Sequence, residues 1–261
     1  MGGTVLLDHV DHGGLRIAVR HGTAFGDAVN QMLVVPTEFI AAQRDYPILF
    51  RFAPDTQFTA VVLLGLDRDE NLFLDRDGWA EGRYVPAVQR RGPFAIDVAA
   101  DDSEDWAIRV ALTDLRVDDA EGRPLFLPHG SKAPYLTHVR EALSTLHAGA
   151  ELAAAMYRAF DDAGLLTPVR IDVTVDDGRR YVIDDCWAID GERLATLDGA
   201  TLGRLNQAGY LALAFAAHAS LDNVQRLIAL KNRVIAAGPG PAHHDFLATY
   251  RADVGVPTNA S

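Results

Sequence analysis

The segment VRIDVTVDDGRRYVIDDCWAID (169–190) sets the fold class. It holds two runs in which β-branched or aromatic residues alternate with polar ones, and Asp177-Gly178 stands between them. A period of two marks a strand with one buried face, and an Asp-Gly pair between two such runs marks a tight antiparallel hairpin. A hairpin is therefore predicted at about 169–189. Cys186 lies in its second run beside Trp187 and reads as a buried, unreactive thiol.

Towards the N-terminus the same signature recurs. TVLLD (4–8), LRIAV (15–19), QMLVV (31–35), YPILFRF (46–52), FTAVVLLGL (58–66), NLFL, FAIDVA and WAIRVAL are apolar runs bounded by Gly, Pro, Asp or Asn. The connections are too short for helical crossovers, so the strands are expected to pair antiparallel. One short helix, PTEFIAAQRD, interrupts them, with Pro36 and Glu38 in its first turn.

The second half changes period. In PYLTHVREALSTLHAG, Leu136, Val139, Leu143 and Leu146 share a helical face, and Gly149 is expected to stop the helix. AELAAAMYRAFDDAG repeats the pattern up to Gly164. A last helix is predicted from Ser220 as its N-cap, with Leu227, Ile228, Val234 and Ile235 on its stripe and Lys231 and Arg233 near its negative end. The expectation is an α+β fold: a mainly antiparallel sheet from the N-terminal half, packed on one face by C-terminal helices, plus the hairpin. No linker divides the chain, so residues 1–236 read as one domain and 237–261 as an irregular tail.

The chain has 261 residues, 49% hydrophobic and 23% charged, enough for a core that needs no disulfide or metal. Cys186 is the only cysteine, which excludes an intrachain disulfide and a cysteine-based zinc site. A net charge of -12 argues against nucleic acid, since Arg90-Arg91 is the best basic pair. The start lacks a basic segment followed by an apolar run, so no Sec-type signal is expected. The longest apolar stretch, AGYLALAFAAHASL (208–221), falls short of the ~20 residues of a membrane span. The chain reads as cytoplasmic, with the cell surface by a non-Sec route as the alternative.

Acidic residues crowd LGLDRDENLFLDRDGW (64–79). A calcium loop of the EF-hand type needs oxygens at positions 1, 3 and 5, Gly at 6 and Glu at 12. Asp67, Asp69 and Asn71 fit, but positions 6 and 12 are then Leu72 and Gly78. The other register puts Phe73 first. Two acidic turns flanking NLFL are the better reading. His138 and His147 lie nine apart, on opposite faces of a helix, and cannot share a metal. No nucleophile elbow or phosphate loop occurs. No catalytic residue, metal or cofactor is therefore assigned.

Two segments combine Gly and Pro with aromatic and polar residues, as ligand-binding loops do: 71–94 and 122–136. They supply the candidate ligand-binding residues Asn71, Asp75, Trp79, Tyr84, Arg90 and Arg91, with His129 and Tyr135. The alternative is that Trp79, Tyr84 and Tyr135 only anchor the loops, with Arg90 or Arg91 pairing an Asp. A third reading is an enzyme in which Asp75, Asp77 and His129 converge.

The segments YPILF, LLGL…ENLFLD…GW…YVPA…RRGPF, GRPLFLPHG…PYL, LDGATLGRLNQAGYL and ASLDNVQRLIALKNR, in this order, resemble the bacterial SapC family over about residues 4–236. The resemblance implies association with a surface layer and no established activity, cofactor or catalytic residue. Members are often labelled peptide-transporter permeases, which the hydropathy here contradicts. They also occur beside hydroxylase-like and halogenase-like proteins, which implies an accessory role in a modification or uptake system. The partners expected are other proteins, a second copy, or a peptide or small ligand.

Overall fold

Asp177-Gly178 turns the corner between the two longest strands of the molecule. Gly178 adopts φ 84°, its N–H donates to Val175 O at 2.9 Å, and Val175 N–H donates to Arg179 O at 3.0 Å. That is a three-residue loop whose last position needs a left-handed backbone, which Gly supplies without strain. The computed structural model describes residues 3–53, 57–75, 78–97, 106–117 and 120–238. From 239 on, the expected tail lies outside the described residues.

In chain order the described strands are β1 (Thr4–Leu6), β2 (Arg16–Ile17), β3 (Gln31–Val34), β4 (Ile48–Ala53), β5 (Gln57–Leu63), β6 (Leu74–Asp75), β7 (Gly78–Trp79), β8 (Phe94–Asp97), β9 (Ala107–Ala111), β10 (Arg123–Pro124), β11 (Leu166–Thr174) and β12 (Arg180–Ile189). The helices are α1 (His9–His12), α2 (Phe39–Ala42), α3 (Ala87–Arg90), α4 (Pro134–Asp162), α5 (Gly191–Ala195), α6 (Gly199–Gln207), α7 (Tyr210–Ala219) and α8 (Asn223–Ala237), with short 3-10 turns at Thr23–Phe25, Pro36–Glu38 and Ser220–Asp222.

The fold is α+β, and every named strand pairing is antiparallel. The main sheet has the order β11-β12-β4-β5-β3, so the β11–β12 hairpin joins the N-terminal strands through Trp187 opposite Phe50. The other N-terminal strands form a separate sheet, β1-β9-β8, and two small ribbons, β10-β2 and β6-β7. The hairpin carries a bulge: the register shifts between Val169 and Ile171, and Asp185 takes φ 51°. Arg51 holds it, giving Nη1 to Asp184 O at 2.6 Å and Asp185 O at 2.8 Å. The extra residue is thus clamped by a neighbouring strand.

Ile48, Leu49 and Phe50 are successive strand residues whose side chains point to alternate faces, and all three are wholly buried. The sheet is therefore covered on both faces at β4, while the outer strands β3 and β11 keep the one-sided alternation read from the sequence. Phe50 packs edge-on against Tyr157 and Phe160 of α4. The first half of α4 gives Leu136, Val139 and Leu143 to a second apolar cluster with Phe94, Ile108 and Val110 of the three-stranded sheet. One long helix thus serves both cores.

Three sequence expectations change. Gly149 does not end a helix, because α4 runs through it. A Cβ there would lie 2.4 Å from Val35 Cβ, so the Gly serves close packing instead of chain termination. Ser220 does not cap α8; buried, it accepts from Ile48 N–H at 2.8 Å and donates to Ala217 O at 2.6 Å. Lys231, expected only to face the negative end of α8, is 3% exposed and pairs with Asp67 at 2.5 Å and Glu70 at 2.6 Å.

Candidate functional site

The acidic turn at 67–70 is thereby explained. Asp67 and Glu70 hold Lys231, while Glu70 also accepts Leu66 N–H at 3.0 Å. The Lys231 hydrogen bond holds the Asp67 carboxyl below its usual range. Among the described residues, no three His, Cys, Asp or Glu side chains gather as a metal site.

Beyond that turn, residues 71–94 are fastened to the core by buried carboxylates. Glu38, 1% exposed, accepts Val35 N–H at 2.9 Å, the Tyr84 hydroxyl at 2.8 Å and Ala87 N–H at 2.7 Å. Asp45 accepts Tyr84 N–H at 3.0 Å and Arg83 Nη1 at 2.7 Å. The Tyr46 hydroxyl donates to Tyr84 O at 2.5 Å. A buried carboxylate with this many donors is stable only where they are fixed, so these bonds set the loop's path. Burial, and then the Glu38 charge, raise the Tyr84 phenol well above its ordinary value.

A third carboxylate, Asp27, is fully buried. Trp79 Nε1 donates to Oδ1 at 2.8 Å and Gly22 N–H to Oδ2 at 2.8 Å. Asn71 Nδ2 donates to Asp27 O at 3.0 Å. His21 Nδ1 lies 3.5 Å from Asp27 Oδ2, within ion-pair distance but out of hydrogen-bond alignment, and it is buried with no other partner. The ring is wedged against β7, where a Cβ on Gly78 would stand 2.4 Å from His21 Cδ2.

The exposed part of His21 faces a hollow of about 290 Å³ between the two aromatic segments. Residues 71–94 give it Val85, Gln89, Arg90 and Gly92, and residues 122–136 give it Arg123 and Tyr135. The floor and far wall are Ala18, Val19, Arg20, Arg116, His138 and Val139. Four of the thirteen wall residues are Arg and none is Asp or Glu, although the chain carries a net charge of -12. Two guanidiniums are held in place. Arg116 grips Asp114 through Nε at 2.8 Å and Nη2 at 2.7 Å, and Arg90 donates to Val85 O at 2.9 Å and the Tyr84 hydroxyl at 3.1 Å. Burial raises the Tyr135 phenol above its ordinary value, against the pull of Arg116 and Arg123.

Of the residues singled out from the sequence, Arg90 and Tyr135 line this hollow together. Trp79, Tyr84 and Asn71 make the fastening bonds behind it. Arg91 turns to Phe94 O at 2.9 Å, and burial, with Arg116 nearby, lowers its pKa. Asp75 sits opposite Gly78 in the β6–β7 ribbon. His129 is exposed, between Pro128 and Gly130 of a second hollow of about 470 Å³ that His9 and Phe126 also wall. Asp75 and His129 line neither hollow, and Asp77 lies outside the described residues. The His and carboxylate that meet beside the hollow, His21 and Asp27, are not among the residues singled out from the sequence. Their one signal is the turn HGTAFGD (21–27), which brings the two ends of a short Gly-bounded segment together.

Fold and hollow together define an antiparallel α+β protein with a cation-lined recess between two fastened loops. The chain belongs to the SapC family, whose model matches residues 7–227. No curated protein and no solved structure matches it. No described helix is long and apolar enough to cross a membrane.

Proposed function

We propose that this SapC-family protein is a non-catalytic binding protein that takes a small ligand or a peptide end into the hollow between residues 71–94 and 122–136. The observation that carries the reading is the convergence of Arg90 and Tyr135, from separate loops, on one recess whose rear is fastened by Glu38, Asp45 and Asp27. Preorganised loops bind without an ordering cost, and a recess near 300 Å³ suits a small molecule or a terminal residue. The test is a screen of small metabolites and short peptides by thermal shift, followed by calorimetry on Arg90→Ala and Tyr135→Ala. A ligand whose affinity falls by roughly tenfold or more in either variant supports the reading, since tenfold corresponds to about 1.4 kcal/mol of lost contact. Ligands indifferent to both variants, or no ligand, would overturn it.

We take the setting to be a cytoplasmic accessory role in a modification or uptake system. The surface-layer association implied by the family is the second reading. It is favoured by β11, a nine-residue edge strand to which another chain could add. Against it, Pro168, Arg170 and Asp172 lie along that edge, residues that discourage strand addition. Cell fractionation separates the two: protein on the cell surface overturns the cytoplasmic role, and wholly cytosolic protein overturns the surface-layer one.

A further inference from the structure

Resting on the binding role of the hollow, we infer that its ligand is a compact oxyanion, a carboxylate borne by a small acid or by a peptide C-terminus, and that His21 contacts it as the imidazolium. The argument begins with charge. The wall of the recess carries Arg20, Arg90, Arg116 and Arg123 and no Asp or Glu, and although Arg116 is already paired with Asp114, N–H donors for an anion come from several sides. Arg90 and Arg116 spend their Nε/Nη2 edges on Val85 O, the Tyr84 hydroxyl and Asp114, which fixes both planes, and the remaining Nη N–H groups are donors for a planar carboxylate.

His21 supplies the second part. Its Nδ1 is enclosed beside Asp27, Cδ2 and Nε2 lie along Gly78, and the ring, about a quarter exposed, is part of the wall of the hollow. A neutral ring has one N–H and must leave one nitrogen without a donor. Only the doubly protonated ring can turn N–H towards Asp27 on one side and N–H towards an anion on the other. Asp27 cannot turn away to follow it, because Trp79 Nε1 and Gly22 N–H hold both carboxylate oxygens. Gly78 fixes the ring from the β7 side. The groups around His21 are Asp27 behind it, Arg20 beside it in the chain, and Gln89 and Arg90 from α3. Across the hollow stand Arg116, Arg123, and Tyr135 and His138 from α4. A bound anion sets a negative charge against the imidazolium N–H. Proton uptake and anion binding are therefore coupled at this site.

Calorimetry of the full chain with acetate, with sulfate and with an N-acetylated tripeptide, as free acid and as amide, tests this at pH 6, 7 and 8. Binding by the free acid or by acetate, absent for the amide, is expected. Affinity should weaken by up to about tenfold per pH unit above the imidazole range, the limit for one coupled proton. That dependence should vanish in His21→Gln and persist in His147→Gln, a histidine outside the hollow that pairs with Glu151. Binding of the peptide acid but not acetate identifies a peptide end, and equal binding identifies a small acid. Either supports the inference, whereas binding by sulfate alone overturns the carboxylate assignment. A pH dependence that survives His21→Gln overturns the role of His21 and leaves the hollow standing. A neutral ligand that depends on Arg90 overturns the anion class. Loss of every ligand in the wider screen is the separate failure of the binding role itself. In the wild type, the His21 ring resonances titrating at higher pH with acetate present give a readout that does not rely on a variant folding.

Discussion

Val35 leaves room for a glycine at 149 and for nothing larger: a Cβ there would stand 2.4 Å from Val35 Cβ and 2.8 Å from Thr37 Oγ1. Alanine is the better helix former by about 1 kcal/mol, but forcing a methyl into a packed contact costs about 1–3 kcal/mol. Gly149→Ala is therefore expected to lower the Tm. Gly203→Ala, on α6 with open space around its Cβ, is expected to raise it slightly. Thermal unfolding of the pair checks this, and a stabilised Gly149→Ala would mean that α4 shifts off Val35 freely.

Glu38→Gln should destabilise by about 2–3 kcal/mol. The acid accepts from three donors, and an amide must aim its NH₂ at one of them, Val35 N–H, the Tyr84 hydroxyl or Ala87 N–H. Denaturant unfolding measures the loss. Because Tyr84 fastens the loop that carries Arg90, ligand affinity should fall with it.

Stability should form a plateau limited on both sides by the Lys231 cluster. Asp67 has a lowered pKa, so its contribution is present above about pH 4 and is lost as pH falls through the lowered value. For Lys231, burial pushes the pKa down but the bonds to Asp67 and Glu70 outweigh it, leaving a raised value. Its contribution is full below about pH 10 and is lost as pH rises through that value. Tyr157, pushed up to about 12 by burial, acts in the same direction on the alkaline side. Lys231→Met should cost about 1–2 kcal/mol at pH 7, a figure kept low because Asp67 is half exposed. It should also flatten the acid limb, and unfolding free energies from pH 3 to 8 test that.

Asp27→Asn replaces one acceptor by a donor facing Trp79 Nε1–H or Gly22 N–H, with an expected loss of about 2 kcal/mol. The Trp79 indole N–H resonance should move by more than those of the other tryptophans. An unchanged indole signal would show that the Asp27 contact is not held in solution.

The sequence alone determined the local elements and their pairing sense. Alternation around Asp177-Gly178 specified the hairpin, short connections specified antiparallel strands, and the ordered segments from YPILF to ASLDNVQRLIALKNR carried the family resemblance. These properties are local or collinear, so a linear reading reaches them. Gly149, Ser220 and Lys231 misled because each has a second use that depends on a partner far along the chain: Val35, Ile48 and Asp67. A glycine stops a helix or admits a neighbour, and only the neighbour's presence decides which. The hollow belongs to the same class. Its cations come from residues 20, 90, 116 and 123, and only Arg116 and Arg123 are near one another along an acidic chain. Packing gathered those charges and turned His21 onto Asp27. In the loops rich in Trp, Tyr and Arg, the tertiary structure packs Trp79 and Tyr84 against the core and sets Arg90 and Tyr135 in the wall of the recess, the placement on which the proposed ligand-binding role rests.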